Sequence, residues 1–459
     1  MTQSLSTAAT RWGGRRDSRL HAAGFFRTAC LDGVWWLVDP DGGRWLSKGV
    51  NTVRIDQDRA GDSDRVPYAE ACLAKYGSAE AWRRAAAARL RSWGVNTLGA
   101  WSDEQVAAAG TTLAIAPLLD LGQKFAFSFA GPAEPWGDAF PDVFDPRFEA
   151  FARQRALDLC SPYRDEAAVV GWFVDNELRW GPDWRGRDEL LTLYLNLPVG
   201  RPGRAGAAEH LRRRYADFAA FEAVWRTGLS SFAAVAESPA PIVQPFPRLA
   251  IYDRDAADEA TLNRVCPDRA TFVGDCDSFS GEVAERYFAV TTAAVRAVAP
   301  NHLVLGCRFH FPPQREVVAA AGRHLDVVSF NCYAAEPLTA IATYAAAAKP
   351  ALIGEFSVRG DDAGLPNTRG ASPRVATQAE RAAAFGRFVT AALGQPTLVG
   401  YHWFEHADQP AEGRPDGENS NYGTVTIADA VYAELTAAMT TTNASADALH
   451  AGTRASGVT

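Results

Sequence analysis

Eight short runs of nearly uninterrupted apolar residues recur along the chain, separated by longer stretches in which apolar positions return every three or four residues. The runs are 44–53 (RWLSKGVNTV), 95–100 (VNTLGA), 113–119 (LAIAPLL), 168–175 (AVVGWFVD), 302–309 (HLVLGCRF), 326–333 (DVVSFNCY), 351–356 (ALIGEF) and 397–404 (TLVGYHWF). Runs of this length without period-two alternation read as strands buried on both faces, as in a parallel sheet covered by helices. Between them, 79–93 places Trp82, Ala86, Leu90 and Trp93 on one helical stripe and Arg83, Arg84 and Arg91 off it, the pattern of a helix with one buried face. Alternating strands and helices predict an α/β fold, and eight strands predict a (β/α)8 TIM barrel with its site at the C-terminal strand ends. An open doubly wound sheet is the competitor; no Gly-x-Gly-x-x-Gly turn follows the first strand and no P-loop is present.

Other segments depart from that alternation. Residues 25–46 alternate around Asp32-Gly33 and Asp41-Gly42, which is hairpin chemistry expected to close the barrel floor. The preceding 1–24 is expected to be a flexible arm. The interval after the fourth strand, about 178–285, is too long for one crossover and is read as an insertion over the rim. It holds a Gly/Pro/Arg loop at 199–206 and helical patterns near 211–226. The catalytic domain is expected to span 25–439, and the Ala/Thr/Ser-rich 440–459 to be a disordered tail.

Charge narrows the partners. Lys and Arg total 46 against 54 Asp and Glu, a net −8, so no field gathers nucleic acid or anionic lipid. The N-terminus lacks the basic and apolar stretches of a secretory signal, and no run approaches a membrane span. The expectation is a cytoplasmic protein with no membrane partner, its oligomeric state open and a homo-oligomer allowed. Seven scattered cysteines without a Cys-x-x-Cys indicate neither a disulfide framework nor a zinc ribbon; Cys266 and Cys276 are the one pair placed to bond, and buried thiols are expected.

The candidate chemistry sits where two runs end in carboxylates. GWFVDNE (171–177) leads from a buried strand into Asp175, Asn176 and Glu177, and GEF (354–356) places Glu355 at the end of the seventh run. Alone, the first reads equally as a helix cap and the second as a glutamate paired to Arg308 or Arg359. Together they lie on strands four and seven, roughly opposite in an eight-stranded barrel. Two carboxylates across a cleft are what glycoside hydrolysis requires: one protonates the leaving oxygen, and the other attacks the anomeric carbon or activates water.

These residues resemble the retaining glycoside hydrolases of clan A. The likeness is strongest to the agarase-like family of exo-β-agarases and, more distantly, to barrel β-galactosidases. It is carried by WWLVDPDGGRWLSKGVN (35–51), GWFVDNE, APNHLVLGCRF (299–309), GEF and HWFEHADQP (402–410), and spans roughly 25–423. The resemblance implies Glu177 as acid/base, Glu355 as nucleophile, and no cofactor. Agarases of that family usually carry a further N-terminal carbohydrate-binding domain and a secretion signal. With neither evident, the expected substrate is an oligosaccharide or glycoside with a galactose-type sugar, cut from one end.

The resemblance further implies Trp403 as the aromatic platform under the sugar, Tyr333 as hydrogen-bond donor to the nucleophile, and Asn176 as partner of the sugar 2-OH. Arg308 is expected to orient Glu355 and His310 a hydroxyl. Glu355 is expected to stay ionised and Glu177 to hold its proton. The polar loop 400–423 offers Glu405, Gln409 and Asn419 to hydroxyls, and Trp101 and Asp56 are candidates for the rim. His402 and His406, four apart beside Glu405, raise a metal site, against which the Gly/Pro content of the loop argues, and none is expected. Two alternatives remain: a transglycosylase using the same double displacement, and a carbohydrate-binding barrel without turnover.

Overall fold

The computed structural model describes residues 9–453 apart from 18, 111, 131–139 and 247–255. Its first layer is an antiparallel sheet in the order β1-β4-β3-β2, built from β1 (Arg15–Arg16), β2 (Arg27–Leu31), β3 (Val34–Val38) and β4 (Gly43–Trp45). Asp32 and Gly33 turn β2 into β3 with φ of 53° and 81°, the two positive φ values of a type I′ hairpin. Trp12, Phe26, Leu37 and Trp45 from this layer share a buried cluster with Ala114, Val170, Leu303 and Leu352, so the hairpin packs on the strands as expected. The arm is not free where it is described: Arg15–Arg16 pairs with β4, and Trp12 is buried against Phe26. The tryptophan supplies apolar area that the polar composition around it obscures.

The eight apolar runs contain eight strands: β5 (Ser47–Val50), β6 (Thr97–Leu98), β7 (Ala114–Ile115), β8 (Gly171–Phe173), β9 (Leu303–Gly306), β10 (Val328–Asn331), β11 (Ala351–Phe356) and, after the short ladder of β12 (Arg359–Gly360) with β13 (Arg374–Val375), β14 (Leu398–Trp403). A parallel sheet runs β10-β11-β14-β5-β6-β7, and a second pairs β8 with β9. Parallel bridges Ile115–Val169 and Leu118–Phe173 join the third run to the fourth, and Phe309–Phe330 joins the fifth to the sixth. Each run thus lies beside the next, and the eighth lies beside the first.

Helices α1 (Pro67–Tyr76) and α2 (Ala79–Ser92) follow β5, and α2 buries Trp82, Ala86 and Leu90 as its stripe predicts. Among the described residues of the β6–β7 crossover, the helical structure is a 3₁₀ turn, Glu104–Val106. Helices α3 (Leu121–Ala130) and α4 (Pro146–Cys160) follow β7. The insertion contains α5 (Leu190–Leu195), α6 (Pro202–Arg214), α7 (Phe218–Trp225), α8 (Phe232–Glu237) and α9 (Ala256–Val265). Its expected end falls inside the 32-residue α10 (Pro267–Val298). The loop expected at 199–206 is already helix from Pro202, whose fixed φ suits the first helical turn. Helices α11 (Arg315–His324), α12 (Leu338–Thr343) and α13 (Gln378–Leu393) follow β9, β10 and β13.

The expected disordered tail is largely a helix, α14 (Ala433–Ala451). Leu435, Met439, Asn443, Ala446 and His450 are buried at spacings of four, four, three and four, one stripe of an α-helix. His450 bonds the carbonyls of Leu393 and Trp35 at 3.0 and 2.9 Å. Alanine supplies helix propensity here, and low polarity on one face supplies the docking.

Candidate active site

Room for the site's inner layer comes from small residues. A Cβ on Gly49 would stand 2.3 Å from His402, and one on Gly354 2.8 Å from Asn331 Oδ1; glycine lets these side chains cross the strands. His402 is fully buried with Nε2 2.8 Å from Ser47 Oγ, and burial, with Arg308 adding, pulls its imidazole down to about 3. It is a neutral part of the interior. His406 lies elsewhere, against Tyr68 and Trp82. Among the described residues no three His, Cys, Asp or Glu side chains gather as metal ligands, and all seven cysteines are free thiols, Cys30 exposed and Cys266 half-buried.

Arg308 organises the next layer. Its side chain has no exposed surface; it donates to Glu355 Oε1, to Asn176 Oδ1 at 2.8 Å and to Asn51 Oδ1 at 3.4 Å. Its guanidinium lies 4.9 Å from the ring centres of both Trp101 and Phe173. The Tyr333 hydroxyl donates to the other Glu355 oxygen. Burial nevertheless pushes the Glu355 carboxyl up, to about 7; Arg308 opposes the rise, Glu177 adds to it, and the Tyr333 hydrogen bond opposes it. Glu355, expected to stay ionised beside Arg308 and Tyr333, thus has its carboxyl raised, because desolvation outweighs its two partners.

Glu177 sits across from this pair with 27% of its side-chain surface exposed, against 5% for Glu355. Its Oε1 accepts from Asn331 Nδ2 at 2.8 Å and lies 3.5 Å from His310 Nδ1. Asn331 also donates to Asn176 Oδ1 at 3.2 Å, and His310 and Tyr333 rings meet at 5.7 Å. One polar network therefore joins both glutamates. Behind it, Asp175 accepts from Tyr287 and from the amides of Gly122 and Gln123. These contacts anchor the strand end that carries Asn176 and Glu177.

The structure brings together Glu177, Glu355, Asn176, Tyr333, His310, Arg308 and Trp101. Trp101 faces a cavity of about 410 Å³ whose wall includes Asp56. Asp56 is paired to Arg54 at 2.7 Å, an interaction that holds its carboxyl low. Trp403 is not a platform: it is 1% exposed, turned outward onto Phe385 and Arg381, with its indole N–H on the Tyr422 carbonyl at 2.8 Å. The next residue, Phe404, meets the Tyr333 ring at 6.4 Å. His402 points inward, so its neighbour must point out.

Glu405 and Gln409 are fully buried. Gln409 spends its amide on Glu405, Glu418 and the Ser420 N–H. Burial, then Asp58, pushes Glu405 well above the ordinary carboxylate range, Arg414 opposing. Asn419 bonds Thr368 and Arg369, clamping two loop segments. Gln409 and Asn419 thus hold the loop in shape, whereas Glu405 spends only Oε1, on Gln409, and its buried Oε2 has no hydrogen-bond partner among the described residues. Sequence reasoning missed Asn51 and Asn331; both lie in quoted strand ends, and an amide closing a buried strand was the available signal.

The whole chain can now be set beside known proteins. It is 26% identical to beta-agarase B of Vibrio sp. (strain JT0107) over 92% of this chain and 48% of that protein. The solved agarase AgWH50C superposes with a TM-score of 0.76 at 26% identity, over 96% of this chain and 68% of that one. A solved exo-beta-agarase gives 0.76 at 25%, over 98% and 69%. The chain is agarase-like in sequence and in fold. It spans about half the length of the curated relatives it matches. No protein-family model matches it.

Proposed function

We propose that this agarase-like chain is a retaining β-glycosidase that acts on β-linked oligosaccharides or glycosides of galactose type. The observation that carries the reading is the paired environment of its two strand-end glutamates. Glu355 is buried, gripped by Arg308 and Tyr333, and its oxygens are fixed in direction; that suits a nucleophile. Glu177 is more open, beside Asn331 and His310; that suits a group exchanging protons with a leaving oxygen and then with water. Asn176 bridges Arg308 and Asn331 between them, where it can meet the 2-OH. The neighbour order of the eight parallel strands supports a (β/α)8 barrel as the frame.

In the double displacement, the ionised Glu355 attacks the anomeric carbon as Glu177 gives its proton to the departing oxygen. Glu177 then takes a proton from water, which releases the sugar from Glu355. Exo action accompanies this reading: the insertion reaches the site through Arg185, whose guanidinium donates to the Glu177 carbonyl at 2.9 Å, and the 404–423 loop reaches it through Phe404, whose ring lies 6.4 Å from that of Tyr333. Digestion of reducing-end-labelled agaro-oligosaccharides and aryl β-galactosides tests it. The expected outcome is a fixed short unit released from the non-reducing end at every time point. Early products of mixed length would overturn exo action, and absence of turnover on all β-glycosides would overturn the glycosidase reading.

A further inference from the structure

Five of the non-glycine residues with positive φ stand just past five successive strands: Thr52, Trp101, Asp120, Glu177 and Arg308, at 56°, 59°, 51°, 50° and 50°. Left-handed backbone disfavours side chains with a Cβ, and its persistence points to positions fixed by something besides local preference. Two of the five belong to the glutamate network and Trp101 stacks on it. Asp120, between Trp101 and Glu177 in the strand order, has no assigned part.

Its carboxylate is unspent for a visible reason. Asp120 precedes α3, and its carbonyl accepts from the Lys124 N–H at 3.2 Å, which makes it the helix cap. A capping aspartate ordinarily accepts from the second and third helical amides. Here those amides, Gly122 and Gln123, go to Asp175 at 2.6 and 2.9 Å. The Asp120 carboxylate is left over, with Oδ1 buried and without a hydrogen-bond partner. Burial pushes this carboxyl up, with Lys124, Arg155 and Arg308 opposing. The backbone bonds from Leu121 N to Val174 O and from Leu119 N to Phe173 O seat it beside the strand that carries Glu177. A buried acceptor without a partner costs stability unless a ligand supplies the donor.

We propose that Asp120 binds the substrate, accepting a hydrogen bond from a sugar hydroxyl in a subsite between the Trp101 face and Glu177, and so sets which sugar the site accepts. The proposal rests on the glycosidase reading and adds a specificity residue to it. The test compares wild type with Asp120→Ala and Asp120→Asn on an aryl β-galactoside and on its four monodeoxy analogues. In the wild type, deleting one particular hydroxyl should lower kcat/KM roughly 10- to 100-fold. Asp120→Ala should lose about as much on the parent sugar, and deleting that same hydroxyl should then cost little more. Its melting temperature should equal or exceed that of wild type, since an unpartnered buried carboxylate is gone. Equal deoxy penalties in wild type and variant at every position would overturn the proposal. So would a fall of several degrees in melting temperature with a uniform loss on all sugars, the mark of a cap. A wild type inert on every β-glycoside would instead overturn the glycosidase reading, and this inference with it.

Discussion

Arg308 and Glu355 form an ion pair almost wholly removed from water, the arginine side chain with no exposed surface and the glutamate with 5%. The pair is also the junction of the site, since the same guanidinium reaches Asn176 and lies over Trp101. Under the proposed mechanism, its energetic balance sets the pH at which Glu355 can attack.

Burial raises the Glu355 carboxyl to about 7 against the pull of Arg308. The form that attacks carbon is the ionised one, so kcat/KM should fall as pH drops through about 7 in the wild type. In Arg308→Met the opposing charge is removed while burial and Glu177 remain, and the acidic limb should move upward by about one unit or more. The pH profile of kcat/KM in the two proteins checks this; an unmoved limb would show that another group sets it.

The acid/base role proposed for Glu177 is separable by leaving group. Glu177→Ala should retain activity on dinitrophenyl glycosides far better than on alkyl glycosides, because the first need no proton. Azide should restore turnover and yield a β-glycosyl azide. A panel of aryl glycosides checks this, and equal losses across it would remove Glu177 from the role.

Two tryptophans should part company under mutation. Trp403→Ala, which empties a fully packed site behind β14, should cost roughly 3–5 kcal/mol in denaturant unfolding. Trp101→Ala should leave stability within about 1 kcal/mol, because this indole is only partly buried, and should raise KM for oligosaccharides. Kinetics and urea unfolding measured on both variants check the contrast.

That contrast marks where the sequence was readable and where it was not. The continuous apolar runs placed all eight strands, and carboxylates closing two of them picked out Glu177 and Glu355. Which side of a strand faces inward was harder: TLVGYHWF is apolar or aromatic on both faces, so only the packing of His402 onto Gly49 shows that Trp403 looks away. Composition misled at 440–451, where Ala and Thr hid Asn443, Ala446 and His450, which continue the stripe begun by Leu435 and Met439. It misled again in the 404–423 loop, where polar side chains serve one another rather than solvent.

Asp429 predicts the acid stability of the fold. Burial opposes its ionisation, yet Arg89, Tyr76 and Lys75 hydrogen-bond the carboxylate and hold it well below the ordinary range. A depressed folded-state value contributes stability that is present above the unfolded value, near 3.8, and is lost as pH falls through the folded one. Asp429→Asn should therefore cost about 3 kcal/mol at pH 7, where it strands the half-buried Arg89, and the difference from wild type should shrink in strong acid. Urea unfolding across pH checks the sign.

The central claim is that Glu355 becomes covalently bonded to the sugar. Incubation with an activated 2-deoxy-2-fluoro-β-galactoside, whose slow second step lets the intermediate accumulate, followed by proteolysis and mass spectrometry, reads that bond directly. The account predicts one equivalent of fluorosugar on the peptide containing Glu355, and none in Glu355→Gln. Label on Glu177, or none on any residue while the enzyme turns over the parent galactoside, would contradict it.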